Sequence, residues 1–166
     1  MAQQGLHIPA EKITIPFFNN ILIDIGDRQS IDNDLSTFSA HITNLKFILN
    51  NANTDTLIIL DELGTGTEPE AGTALSQAIL EELLTKNAFV FATTHMSTLK
   101  FWAQEKIGII NGGMIFDNKN IKPTFELQLG LPGSSFTLEI SNRLGLDKKI
   151  IKRAKSLMYK NILTSD

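Results

Sequence analysis

Two adjacent carboxylates, Asp61 and Glu62, follow the apolar run Leu57-Ile58-Ile59-Leu60 and lead into Leu63-Gly64-Thr65-Gly66-Thr67. An apolar strand that ends in two acids brings both to solvent at one point. One carboxylate can then hold Mg²⁺ through water while its neighbour accepts a proton from an attacking water, the division of labour used in nucleotide hydrolysis. Asp61 takes the metal role and Glu62 the water role. The competing reading is that many parallel strands end in an acid by chance, or to cap the next helix. Gly64 and Gly66 let backbone approach a ligand or a facing subunit closely, or simply make a tight turn.

His95 follows Thr93-Thr94 at the end of a second apolar run. That places it on the side of a parallel sheet where Asp61 also lies, and an imidazole there can hydrogen-bond a γ-phosphate or the attacking water. A lone histidine is more often structural, and His7 and His41 are read that way. Ser36 and Thr37 precede helical sequence whose free N–H groups favour an anion; capping their own helix is the simpler role for them. Asp27 and Gln29 stand with Asp24 at the end of another short apolar run, as weaker ligand candidates. The usual phosphate cradle, Gly-x-x-x-x-Gly-Lys-Ser/Thr, has no counterpart, because the sequence contains no Gly-Lys dipeptide. These residues amount to half of an ATPase site.

The elements that must position them follow from periodicity. Ile21–Ile25, Thr56–Leu60 and Phe89–Ala92 read as buried strands. Leu35, Phe38, Ile42, Leu45 and Leu49 recur at helical spacing, with Ser36 or Ser39 as N-cap. Pro69 opens a second helix with Ala71, Ala74, Leu75, Ala78, Ile79 and Leu83 as its apolar stripe, and Thr67 with Glu70 has capping-box spacing. Strand, helix, strand makes a βαβ crossover. Met96–Gln104 reads as a short helix, and Gly5 as the C′ glycine of a helix inside which the chain begins. Residues 109–116 and 124–129 read as a hairpin on the sheet edge, with Phe125, Leu127 and Leu129 on a buried face. The chain closes with helices over 134–144 and 148–159, the second capped by Asp147 with Ile150, Ile151, Ala154 and Leu157 inward; they offer a docking or dimerisation surface. The expected organisation is one partial α/β domain over 1–166, with a core at 1–107, a hairpin at 108–130 and helices at 131–166.

Composition agrees with one ordinary core: 42% of the 166 residues are hydrophobic and 20% charged. A net charge of −3 lacks the broad positive field of an autonomous DNA-binding domain. With no cysteine there is no disulfide, thiol nucleophile or thiolate zinc site. No signal-like N-terminus and no apolar run of membrane length is present, so a soluble cytoplasmic protein is expected.

Taken in order, these segments resemble the nucleotide-binding domain of the MutS family, ABC-type ATPases of DNA mismatch and recombination processing. Leu57–Thr67 looks like that family's Walker B and D-loop, since transporter-type ABC proteins place a proline after the Asp-Glu. Ala92-Thr93-Thr94-His95 looks like its switch histidine and Leu35-Ser36-Thr37-Phe38 like its signature segment. Residues 5–10 and 24–31 also look like family sequence. Gly130-Leu131-Pro132-Gly133-Ser134-Ser135-Phe136 is most similar to the second bacterial branch, associated with recombination control and collided ribosomes. The resemblance implies an ABC-type P-loop NTPase fold, incomplete because the Walker A strand and helix are absent. It implies ATP and Mg²⁺ as ligands and a homodimeric composite site, in which Asp61, Glu62 and His95 serve their own chain's nucleotide and Ser36 reaches the partner's γ-phosphate. DNA or ribosome would be met through domains outside these residues, with no membrane role. For the Q-loop counterpart, Asp27 and Gln29 are the candidates. A sheet lacking a strand and a helix would expose an apolar groove and pair with another copy or aggregate. The alternative is a non-catalytic dimerisation or interaction module; a metal-dependent phosphatase is disfavoured because no second ligand cluster is present.

Overall fold

Three short apolar runs pair in parallel to organise the first part of the chain. The computed structural model describes residues 1–25, 34–117, 120, 122–133 and 136–163, with backbone alone at 34–37 and 159–163. It is a mixed α/β structure that divides into two compact units, Met1–Trp102 and Ala103–Asp166. In the first, β1 (Asn20–Asp24), β2 (Thr56–Leu60) and β3 (Phe89–Ala92) form a parallel sheet in the order β1-β2-β3. α1 (Asp34–Asn51) joins β1 to β2, and α2 (Pro69–Thr85) joins β2 to β3. Both links are the crossovers that parallel neighbours require.

Alternation along β2 decides where the core lies. Thr56, Ile58 and Leu60 are buried while Leu57 and Ile59 are half-buried. The first set faces α1 and α2, where Leu45, Ile48, Ala52, Leu63, Ile79 and Leu83 close over Ile58 and Leu60, and Leu22 and Val90 join from the flanking strands. The other face carries Ile21, Ile23, Phe89 and Phe91, and it is open: Ile23 is 46% and Phe91 60% exposed. This corrects the expectation that Ile21–Ile25 and Phe89–Ala92 are buried strands; the first runs as Asn20–Asp24 with Ile21 and Ile23 exposed. Parallel sheets normally read as continuous apolar runs because both faces are covered; here the run is present, and among the described residues nothing covers one face. Aromatic contacts run along that face, Phe18 to Phe89 at 5.7 Å and Phe89 to Phe91 at 6.5 Å. Gln3, on a 3₁₀ turn (Ala2–Gln4) that ends at left-handed Gly5, brackets Phe18 through its backbone N–H and C=O.

Helix detail departs from the sequence reading in three places. α1 already includes Ser36 and Ser39, so neither caps it. α2 starts after Glu68, which makes no side-chain cap, and the Thr67–Glu70 capping box is not formed; Pro69 sits in the first turn as expected. The buried stripe of α2 is Gly72, Ser76, Ile79 and Leu83, whereas Ala71, Ala74, Leu75 and Ala78 face solvent. Small residues won the inner face because α2 lies so close to the loop after β2.

α3 (Ser97–Glu105) leads into the second unit. There β4 (Gly112–Asp117) and β5 (Lys122–Leu129) form an antiparallel two-stranded sheet of their own, not an extension of the parallel sheet's edge. The register shifts between Met114 and Phe116, and Phe125 opposite the irregularity has φ +62°. Phe125, Leu127 and Leu129 are exposed, Phe125 by 83%, so the expected buried face of β5 is not buried. Phe116 stacks on Phe136 at 4.3 Å. A Cβ on Gly113 would meet the Gly133 Cα at 2.7 Å, a physical reason for the glycine at 113, while one on Gly133 would meet the Gly113 Cα at a tight 3.3 Å. α4 (Thr137–Arg143) and α5 (Lys148–Leu163) end the described chain. Asp147 Oδ1 accepts the Lys149 N–H at 2.7 Å, the cap expected for α5. Ile151 is buried and Ala154 half-buried, but Ile150 and Leu157, expected inward, are exposed. Among the described residues no helix is long and apolar enough to cross a membrane.

Candidate functional site

The C-terminal ends of β1, β2 and β3 meet at one edge of the parallel sheet, and Asp24, Asp61 and Thr93 stand there side by side. Asp61 continues the β2 ladder by donating its N–H to the Asp24 carbonyl at 2.8 Å. Thr93 returns the ladder from β3, its N–H reaching Leu60 O at 2.9 Å while its own carbonyl accepts the Leu63 N–H at 2.9 Å. The backbone therefore turns sharply at Glu62.

That turn is strained. Glu62 has φ +51°, a left-handed conformation that a non-glycine residue adopts at a cost of about 1–3 kcal/mol. The Thr93 hydroxyl holds it: Oγ1 accepts the Glu62 N–H at 2.8 Å and donates to Asp61 Oδ1 at 2.6 Å. The Glu62 carbonyl in turn accepts from Thr65, from Oγ1 at 2.9 Å and from N–H at 3.2 Å. The result is a half-buried Asp61 with one carboxylate oxygen tied and an exposed Glu62 beside it.

Behind the turn, Gly64 (φ +90°) runs against the first turn of α2. A Cβ on Gly64 would lie 2.6 Å from Ser76 Oγ and 2.8 Å from Met96 Sδ, and one on Gly72 would meet the Gly64 carbonyl. Ser76, buried, satisfies its hydroxyl on Gly72 O at 2.7 Å. The close approach that Gly64 permits is thus to its own helix. Gly66 (φ +79°) is exposed, and a Cβ added there would come within 3.9 Å of the Phe38 ring. Asp24, Phe38, His41, Asp61, Glu62, Thr65 and Ser76 are among the residues lining a cleft between α1, α2 and this turn, about 30 Å³ in volume, room enough for water.

His95 is exposed and lies just beyond Thr94, whose hydroxyl donates to Leu63 O at 3.3 Å and accepts the Met96 N–H at 3.1 Å. It shares the edge with Asp61 and Glu62 but is not among the residues lining the cleft. Ser36 and Thr37 lie on the first turn of α1. Asp27 and Gln29 lie outside the described residues. Among the described residues no group of three or more His, Asp or Glu side chains converges as a metal cage. Mg²⁺ needs no such cage, since it commonly keeps most of its waters and takes one or two carboxylates plus substrate phosphates. One carboxylate with Oδ1 fixed by Thr93 fits that demand.

Sequence reasoning named Asp24 as a weak ligand candidate and His41 as structural, but it missed what these two and Thr93 do here. Thr93 positions both acids, and its signal was a hydroxyl at the end of the neighbouring parallel strand. Asp24 and His41 form the second pair, Nδ1 to Oδ2 at 3.0 Å, across a separation in the chain that no local pattern reveals.

A family model described as MutS domain V matches residues 1–161. Proteins named Endonuclease MutS2 are similar along nearly all of the chain. That of Carboxydothermus hydrogenoformans is 50% identical over 100% of this chain and 22% of its own length. That of Thermus thermophilus is 47% identical over 95% of this chain and 21% of its own, and that of Clostridium kluyveri 49% over 93% and 20%. The chain spans about a fifth of the length of these relatives. It belongs to the MutS family, as that family's domain V.

Proposed function

We infer that this chain supplies the hydrolytic half of an ATP site in a MutS-like protein that works on DNA. The observation that carries the reading is the strained Glu62 turn: a residue held in a left-handed conformation by a hydroxyl from the next strand, with its carboxylate free and Asp61 adjacent. Strain of this kind persists where the surroundings over-determine it, and it clusters at functional sites.

In this reading Asp61 would hold Mg²⁺, which would supply charge neutralisation for the phosphates. Glu62 orients the attacking water and accepts its proton. His95, exposed on the same edge, hydrogen-bonds the γ-phosphate or that water. Ser36 and Thr37, with the N-terminal dipole of α1, meet the γ-phosphate of a nucleotide held by a second copy, and Gly66 keeps the loop between them low. Asp27 and Gln29 are the proposed sensor-loop candidates. A phosphate-binding loop comes from further polypeptide. The open face of Ile21, Ile23, Phe89 and Phe91 supports this, because a three-stranded parallel sheet with one bare apolar face is an incomplete layer. ATP binding would join two copies as a homodimer and its hydrolysis would release them, coupling nucleotide state to DNA or ribosome contacts elsewhere in a cytoplasmic protein.

The test is Glu62→Gln in a chain that also carries the phosphate loop. The amide keeps the shape and loses the base, so MgATP should bind with turnover lowered about 100-fold or more. Retained turnover would refute the role of Glu62. A second reading, a non-catalytic interaction module, draws on the exposed Phe125, Leu127 and Leu129 of β5 and Ile150, Leu157 and Met158 of α5. Self-association indifferent to nucleotide would favour it.

A further inference from the structure

Asp24 is 8% exposed, the most deeply buried acid among the described residues, and none of the roles above uses it. Among the described residues its carboxylate has two side-chain partners, both from α1: His41 Nδ1 lies 3.0 Å from Oδ2, and Asn44 Nδ2 donates to Oδ1 at 2.7 Å. Asn44 Nδ2 also reaches the Ile23 carbonyl at 3.0 Å. The Asp24 carbonyl accepts the Asp61 N–H at 2.8 Å. One residue therefore ties α1 to β1 by its side chain and β1 to the acidic corner by its backbone.

His41 and Asn44 stand three residues apart, on the helix face that continues into buried Leu45 and Ile48. They form the polar end of the apolar stripe. Thr37 lies one turn before His41, about 6 Å along the helix axis. We propose that Asp24, His41 and Asn44 are a positioning lock that fixes the first turn of α1, with Ser36 and Thr37, relative to Asp61 and Glu62. The functional meaning of that spacing rests on the ATPase reading given above; the lock itself does not.

An ionised carboxylate only accepts hydrogen bonds, so Nδ1 carries the proton. The Nδ1–H tautomer of the neutral ring and the imidazolium both donate from Nδ1. In the neutral ring Nε2 is left with its lone pair. His41 is half-buried and lines the same cleft as Glu62.

The first readout needs no variant. In a ¹⁵N-labelled chain at pH about 8.5, where an ordinary histidine is neutral, the His41 ring should be the Nδ1–H tautomer. An Nε2–H tautomer would overturn the proposal. The second is amide exchange. His41→Ala should speed exchange of the Asp61 amide about 10-fold or more, as expected for a buried acceptor losing one partner, while Ile79 and Leu83 in α2 change less than about twofold; His41→Asn, which returns a donor near Nδ1, should restore Asp61. Unchanged Asp61 exchange, an equal change in α2, or no rescue by Asn would each sink the lock. In a chain that hydrolyses ATP, His41→Ala should lower kcat more than it raises KM. If tautomer and exchange results hold while Glu62→Gln still turns over ATP, the lock stands and the ATPase reading fails.

Discussion

Replacing Thr93 by Val tests whether the acidic corner is held by a single hydroxyl. Val keeps the β-branched shape at the end of β3, so packing and strand preference change little. What is lost is Oγ1, with its 2.8 Å bond from the Glu62 N–H and its 2.6 Å bond to Asp61 Oδ1. The backbone bond contributes about 1 kcal/mol net. The bond to a carboxylate reaches about 1.5–3 kcal/mol when enclosed, but Thr93 is exposed and water replaces part of it, leaving about 0.5–1 kcal/mol. The sum is about 1.5–2 kcal/mol. With a urea m-value of about 2 kcal/mol/M, the midpoint of the first unit should fall by about 0.8–1 M, and Glu62 amide exchange should accelerate about 10-fold. Thr93→Ser, which keeps the hydroxyl, should recover most of both. A Val variant within 0.3 kcal/mol of the parent, taking that as about the resolution of the midpoint, would refute the reasoning. So would a Ser variant as unstable as Val, since the loss would then lie in the methyl group.

Gly72→Ala sets helix propensity, a gain of about 1 kcal/mol, against a Cβ driven into the Gly64 carbonyl; the backbone cannot yield, so a net loss of about 2–3 kcal/mol is expected in thermal unfolding. Gly64→Ala and Gly66→Ala share a positive φ, but only the first collides, with Ser76 and Met96. Circular-dichroism melts should therefore give a loss of about 1 kcal/mol at Gly66 and at least twice that at Gly64. Ile48→Ala, at a position 1% exposed between helix and sheet, should cost about 2–4 kcal/mol by urea titration. Phe91→Thr on the open face should leave the melting temperature within a few degrees yet raise the concentration at which light scattering detects association.

Much of this protein is written locally. Thr56–Leu60 and Phe89–Ala92 are strands at the bounds their apolar runs predict, Pro69 opens α2 in its first turn, and Asp147 caps α5, because each depends on residues within one turn or one strand. The pairing of Asp61 with Glu62 at a strand end was legible for the same reason. Which faces are buried was not: composition marks Phe91 and Leu127 as core, and only the arrangement of elements leaves them in water. Nor was the inner stripe of α2, where Gly72 and Ser76 displace Leu75 because Gly64 passes within touching distance. The Glu62 strain, the Thr93 hydroxyl that holds it and the Asp24–His41 pair arise from contacts 17 to 32 residues apart. Periodicity reports a segment's preference, whereas parallel pairing decides which distant side chains share an edge, and the candidate site of this chain is built on that edge.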